Sequence, residues 1–100
     1  MRHKLKCYNS GKIGGLSLPV AAKKFEQADK EIRAIGCDPV NPLNNGLQFS
    51  DPWIMHMVLD VYNMLLCPVV YFQRDWRESR GARIEYKIAK FFGKEMIFQK

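Results

Sequence analysis

The stretch Leu5-Lys6-Cys7-Tyr8-Asn9-Ser10-Gly11-Lys12-Ile13-Gly14-Gly15 starts as a strand and ends as a glycine loop. Leu5 to Tyr8 is short and suits a strand, while Asn9 onward is dominated by turn formers and glycines. A strand that runs straight into such a loop is the first half of a βα unit. The second half follows: Pro19 opens a segment in which Ala21, Phe25, Ala28, Ile32 and Ile35 recur at spacings of 4, 3, 4 and 3, with Gly36 as the stop. That period predicts a helix laying an apolar stripe on a sheet.

The alternation continues to the other end of the chain. Cys37 to Val40 reads as a second strand, closed by the loop formers Asn41-Pro42-Leu43-Asn44-Asn45-Gly46. Ser50-Asp51-Pro52 supplies a cap and a first-turn proline for a helix over about 51–66, with an expected stripe of Ile54, Val58, Val61 and Leu65. Val69 to Phe72 is β-branched and aromatic without alternation, as a strand covered on both faces should be, and reads as the central strand. Ser79 caps a third helix with a stripe of Gly81, Glu85, Ile88 and Phe92, stopped by Gly93, and Met96 to Phe98 forms the last strand. Strand starts near residues 5, 38, 69 and 96 repeat at roughly 30 residues, the length of a βα unit. The expectation is one domain over residues 1–100, an α/β three-layer αβα sandwich on a four-stranded parallel sheet of order 2-1-3-4. Ligands in such sheets gather at the carboxyl ends of the strands where the order reverses, here between the first and third strands. Segments 8–15, 73–81 and the loop near 41–49 should meet there.

Composition bounds the function. A chain of 100 residues with 47% apolar and 26% charged residues fits one soluble domain. It should bury somewhat under ~70% of its unfolded surface, which makes a deep cleft within one monomer hard to build and leaves room for a site completed by a second subunit. The uncharged stretch Asn63 to Gln73 contains Pro68 and falls far short of the ~20 apolar residues of a membrane-spanning helix. The start, Met1-Arg2-His3-Lys4-Leu5-Lys6, lacks the apolar core of a secretory signal, so a cytoplasmic location is expected. Cys7, Cys37 and Cys67 cannot all pair and have no zinc or redox spacing; they read as reduced and structural. His3 and His56 have no third ligand at metal spacing, so neither a metal nor another cofactor is expected. The net charge of +6, from 16 basic and 10 acidic residues, suits an anionic ligand. Nucleic acid would want a continuous basic stripe with exposed aromatics between, and is the runner-up partner only.

Several residues break the local rules. Glu85 falls on the apolar stripe of the third helix, so its carboxyl is either an acid or base in waiting or half of a buried pair with an Arg at the stripe's edge. Asp60 has His56 and Asn63 one turn away on the same face, either a solvated line or a site. Two carboxylates on successive helices, Asp60 and Glu85, are what cleavage of a glycosidic bond requires. Arg74, Arg77, Arg80 and Arg83 recur every three residues, and Arg80 and Arg83 in the first turn of a helix make sense if an anion such as phosphate occupies the positive end. The alternative is four solvated arginines balanced in part by Asp75 and Glu78. Ser79 fits both readings. From Ser79 to Glu85 is six residues, roughly 9 Å of rise, so a nucleotide with its phosphate at the helix start would bring its anomeric carbon within reach of Glu85. The loop with Ser10, Gly11 and Lys12 matches neither a Walker A nor a dinucleotide fingerprint and is either a close-approach loop for sugar or phosphate or a plain turn. Trp53 and Trp76 either stack on a base or are simply packed.

The residues Tyr8-x-Ser10-Gly11-Lys12-Ile13-x-Gly15, Asn41-Pro42, Met57-x-x-Asp60 and Trp76-x-x-Ser79-Arg80-Gly81-Ala82-Arg83-x-Glu85 resemble the nucleoside 2-deoxyribosyltransferase-like superfamily, in particular a short bacterial and phage branch of it that is a domain of unknown function. The resemblance covers nearly the whole chain and implies a flavodoxin-like or Rossmann-like fold. It implies that Glu85 attacks the anomeric carbon, that Asp60 serves the base or its proton, and that Tyr8 lies beside the nucleophile. Deoxyribosyltransferases proper carry an Asp six residues before the nucleophile, whereas the nucleotide hydrolases carry a Ser that meets the 5′-phosphate; Ser79 here implies a nucleoside monophosphate. Pro68 and Gln73-Arg74-Asp75 depart from the branch's pattern near the third strand, and the glycine loop is short, so the resemblance to relatives that assemble their sites at a dimer interface implies a homodimer or higher homo-oligomer.

The function expected is therefore an N-glycosidic-bond enzyme, hydrolase or 2-deoxyribosyltransferase, acting on a (deoxy)nucleoside 5′-monophosphate. Glu85, Asp60 and Tyr8 would be catalytic. Ser10, Gly11, Lys12, Ser79, Arg80, Gly81 and Trp76 would hold substrate or phosphate. The alternatives are a non-catalytic nucleotide-binding module and a small basic protein that touches nucleic acid.

Overall fold

The computed structural model describes residues 4–44, 47 and 51–100. His3, Ser50 and residues 45, 46, 48 and 49 of the loop near 41–49 lie outside the described residues. The elements run β1 (Lys6–Ser10), α1 (Leu18–Ala34), β2 (Asp38–Val40), α2 (Trp53–Leu65), β3 (Val69–Phe72), α3 (Arg80–Phe91) and β4 (Glu95–Phe98), with short 3-10 turns at Pro42–Asn44 and Trp76–Glu78. The four strands are all parallel in the order β2-β1-β3-β4, as the alternation predicted.

Period-two alternation along the strands divides the core between the two sheet faces. Cys7, Val69 and Tyr71 pack with Ala28 and Ile32 of α1 on one side. Tyr8, Val70 and Phe72 pack with Met64 of α2, Cys67 and Ala89 of α3 on the other. All four residues of β3 are buried, which explains why that strand shows no alternation in the sequence. Register aligns Cys7 with Val69 and Ser10 with Phe72, so β1 and β3 end together. No helix among the described residues is long and apolar enough to cross a membrane.

Three expectations need correction. β1 reaches Ser10, because the side chains of Asn9 and Ser10 find buried partners that outweigh their tendency to turn. In α2, Pro52 is the N-cap rather than a first-turn residue, and the buried residues are Met57, Asp60 and Met64. The expected stripe is turned outward: Ile54, Val58 and Leu65 are exposed. α2 is apolar nearly all round, so periodicity alone could not choose its face. In α3 the buried row is Ala82, Glu85 and Ala89, which keeps the expected Glu85 but is otherwise shifted by one residue from Gly81 and Ile88, and Phe92 is exposed. Ala89 sits inside the cluster with Tyr8, Val70 and Phe72, and Ile88 packs against that cluster half-buried.

Candidate active site

Tyr8 and Ser10 are two apart on β1, so both point to the α2–α3 side of the sheet. There they meet Glu85, one and a half turns into α3. Tyr8 Oη donates to Glu85 Oε2 at 2.8 Å and Ser10 Oγ donates to Glu85 Oε1 at 2.7 Å. Glu85 is 5% exposed. Both carboxyl oxygens are thus held by hydroxyl groups, and the salt bridges among the described residues do not include Glu85. The buried pair with an Arg does not form.

Burial dominates the electrostatics of this carboxyl and pushes its pKa from 4.5 up to about 7. The hydrogen bonds from Ser10 and Tyr8 pull the other way, and the negative charge of Asp60 adds to the rise. The Tyr8 hydroxyl is itself pushed well above its ordinary value, first by burial and then by Glu85. It therefore remains a donor to the carboxylate throughout the neutral range.

Asp60 reaches the same place from α2. It is buried, which overturns the reading of His56, Asp60 and Asn63 as a solvated line. α2 and α3 approach closely at Gly81, where a Cβ would come within 2.9 Å of Met57 Sδ. Glycine there lets the two carboxyl-bearing helices share one cavity.

That cavity has a volume of about 410 Å³ and lies at the carboxyl ends of β1 and β3. Tyr8, Asp60 and Glu85 line it together with Gly11 to Leu16 of the glycine loop, Pro42, Leu43, Leu47 and Asp51, the Trp53–His56–Met57 face of α2, and Glu78 to Ala82. The glycine loop is thus cavity wall rather than a plain turn. The predicted residues Gly11, Lys12, Ser79, Arg80 and Gly81 all line the cavity, and Ser10 sits beneath it, holding Glu85. Trp76 does not line it. It packs against Tyr86, Phe72 and Phe98, with ring centroids 4.7, 5.4 and 5.9 Å away. Sheet-side aromatics outcompete the cavity for this indole.

The arginine ladder does not converge either. Only Arg80 lines the cavity. Its guanidinium lies 4.7 Å from the Trp53 ring, while Arg77 sits over Trp76 and Arg74 donates to Gln99. A spacing of three puts the side chains on different elements once the chain passes through the turn at Trp76–Glu78. Lys12 stands 4.0 Å from Glu78 across the mouth. Ser79 caps α3, its Oγ accepting from the Ala82 N–H at 3.1 Å, and the first turn carries no acidic residue.

Sequence reasoning missed a second polar chain on the α1 face. Asn9 donates to Asp29 and Gln73 donates to Asn9, at 2.8 and 2.7 Å. Asn41 also donates to Asp29, Lys24 donates to Gln73 and bonds Asp75, and Asp75 accepts from the Lys12 N–H. Asp29 lies four residues after Phe25, on the buried row of α1, and that spacing was the available signal. No three His, Cys, Asp or Glu among the described residues stand close enough to hold a metal ion.

The parallel α/β sandwich thus sets a buried, hydroxyl-held carboxyl on a cavity at its topological switch point, the place where such sheets generally take ligands. The chain belongs to the family described as a domain of unknown function, DUF4406, which matches residues 5–98. No curated protein matches it.

Proposed function

We propose that this domain cleaves the N-glycosidic bond of a (deoxy)nucleoside 5′-monophosphate, by hydrolysis or base exchange, as the resemblance to nucleoside 2-deoxyribosyltransferase-like enzymes implies. The observation that carries the reading is Glu85, buried with both oxygens held by hydroxyls, on the wall of a cavity that Asp60 also lines. A volume of about 410 Å³ falls within the ~300–1,000 Å³ of small-molecule sites.

Two neighbouring carboxyl groups share one proton more readily than they carry two charges. In the reactive form the proton is on Asp60 and Glu85 is the carboxylate. Glu85 attacks C1′ of the sugar and the C1′–N bond breaks with its electron pair going to the base, which takes the proton from Asp60. Water, or a second base, then attacks C1′ and releases the Glu85 carboxylate, its proton returning to Asp60. Tyr8 and Ser10 hold the carboxylate in line. The phosphate sits at the start of α3, against the Ser79 hydroxyl, with Lys12 leaving Glu78 and Arg80 leaving Trp53 to meet it. An exposed pair such as Lys12–Glu78 resists little.

The test is release of free base from a panel of nucleoside and deoxynucleoside monophosphates. The wild type should release base and Glu85→Gln should be slower by at least about a hundredfold. Equal release by both would remove Glu85 from the chemistry. Tight nucleotide binding by calorimetry with no base release would replace turnover with binding alone.

A further inference from the structure

We infer that the outward face of α2 is the surface on which two copies of this chain pair. Ile54, Val58, Tyr62 and Leu66 follow one another at spacings of four and are each between 60 and 64% exposed. They form a single ridge along the helix. Beside it, Ile54, Met55, Val58, Leu59 and Tyr62, with Leu47, line a cleft that is almost wholly apolar. A ridge next to a groove of the same kind is self-complementary: under two-fold symmetry, the ridge of each copy enters the groove of the other, with the helices crossing near −50° as in packing of two such rows.

Charge selects a second copy over another partner. The chain carries +6, yet the one charged residue of α2 is Asp60, which is buried beneath the helix. An acidic protein or a nucleic acid would be drawn to the basic surfaces elsewhere. A like-charged copy can approach without repulsion where no charge is exposed, and this face meets that condition. The area is sufficient as well. With Met55 and Leu65, six large side chains are 37 to 64% exposed along this face and its C-cap. At ~150–250 Å² for a large side chain they offer on the order of 600 Å² on each copy, which brings the pair to the ~1,200 Å² at which stable interfaces begin. Leu47 lines both the cleft and the cavity beside Glu85, so the second copy seats at the cavity's rim.

The pairing stands apart from the chemistry proposed above, and sedimentation equilibrium of the full chain tests it without any substrate. The wild type should sediment at twice its 11.6 kDa. Val58→Asp and, separately, Tyr62→Lys should halve that mass with an unchanged far-ultraviolet circular dichroism spectrum. Phe91→Asp, at an 82% exposed phenylalanine on the end of α3, should leave the dimer intact. A wild type that stays monomeric at every loading concentration overturns the inference, including the case in which the face binds another protein or a lipid surface. So does a dimer that survives both α2 substitutions, or one that Phe91→Asp dissolves.

Discussion

At the scale of single residues, Glu85 makes stability depend on pH in a direction opposite to that of an ordinary salt-bridged carboxylate. Between its ordinary 4.5 and the folded value of about 7, the folded protein holds a proton that the unfolded chain has lost. Stability therefore falls as pH rises through that window, by on the order of 3 kcal/mol when the whole shift is counted. Glu85→Gln removes this pH dependence. The stability of the variant relative to wild type, from denaturant midpoints, should grow between about pH 4.5 and 7 and level off above. A difference that is flat across pH would mean that Glu85 does not hold the proton. Glu85 was legible as an anomaly because it interrupts a stripe of apolar spacing. Tyr8 was expected beside it from the resemblance, whereas the bond from Ser10 was not, because Ser10 reads locally as a turn former.

At the scale of elements, α3 separates two roles of Ser79. As an N-cap its hydroxyl oxygen satisfies the Ala82 N–H, while its proton stays available to a ligand oxygen. Replacement by Ala should cost about 1 kcal/mol, whereas Gly at a cap costs only a few tenths. Both substitutions remove the hydroxyl, so Ser79→Ala and Ser79→Gly should weaken nucleoside monophosphate binding alike in calorimetry while differing in thermal stability. Equal binding by both variants and the wild type would place the phosphate elsewhere. The cap was readable from its position before an apolar period. The face of α2 was not, since Ile54, Val58 and Leu65 make as good a stripe as Met57 and Met64, and only docking on α3 through Gly81 selects between them.

At the scale of the whole molecule, the two loops of the cavity are tied from the far side of the sheet. Asp29, Asn9, Gln73, Lys24 and Asp75 form a continuous hydrogen-bonded path that ends on the Lys12 N–H, and no buried side-chain polar atom among the described residues lacks a partner. Gly11 is where this tie is tightest. A Cβ there would lie 2.6 Å from the Gln73 carboxamide carbon, and Gln73 is held at both ends and cannot yield. Gly11→Ala should cost about 1–3 kcal/mol by this overpacking. Chemical denaturation measures it, and unchanged stability would show that Gln73 is free to move.

The sequence by itself determined the order of elements, the parallel sheet and its strand order, and the meeting of segments 8–15 and 73–85 at one edge. Those follow from hydrophobic period, turn chemistry and chain connectivity, all of which are local or topological. Only the tertiary structure decided which face of α2 is buried, that Trp76 belongs to the aromatic packing, that the four arginines part company, and that two hydroxyls hold Glu85. Each of these is a choice between partners of similar local propensity, and it is settled by which side chains the fold brings within contact distance.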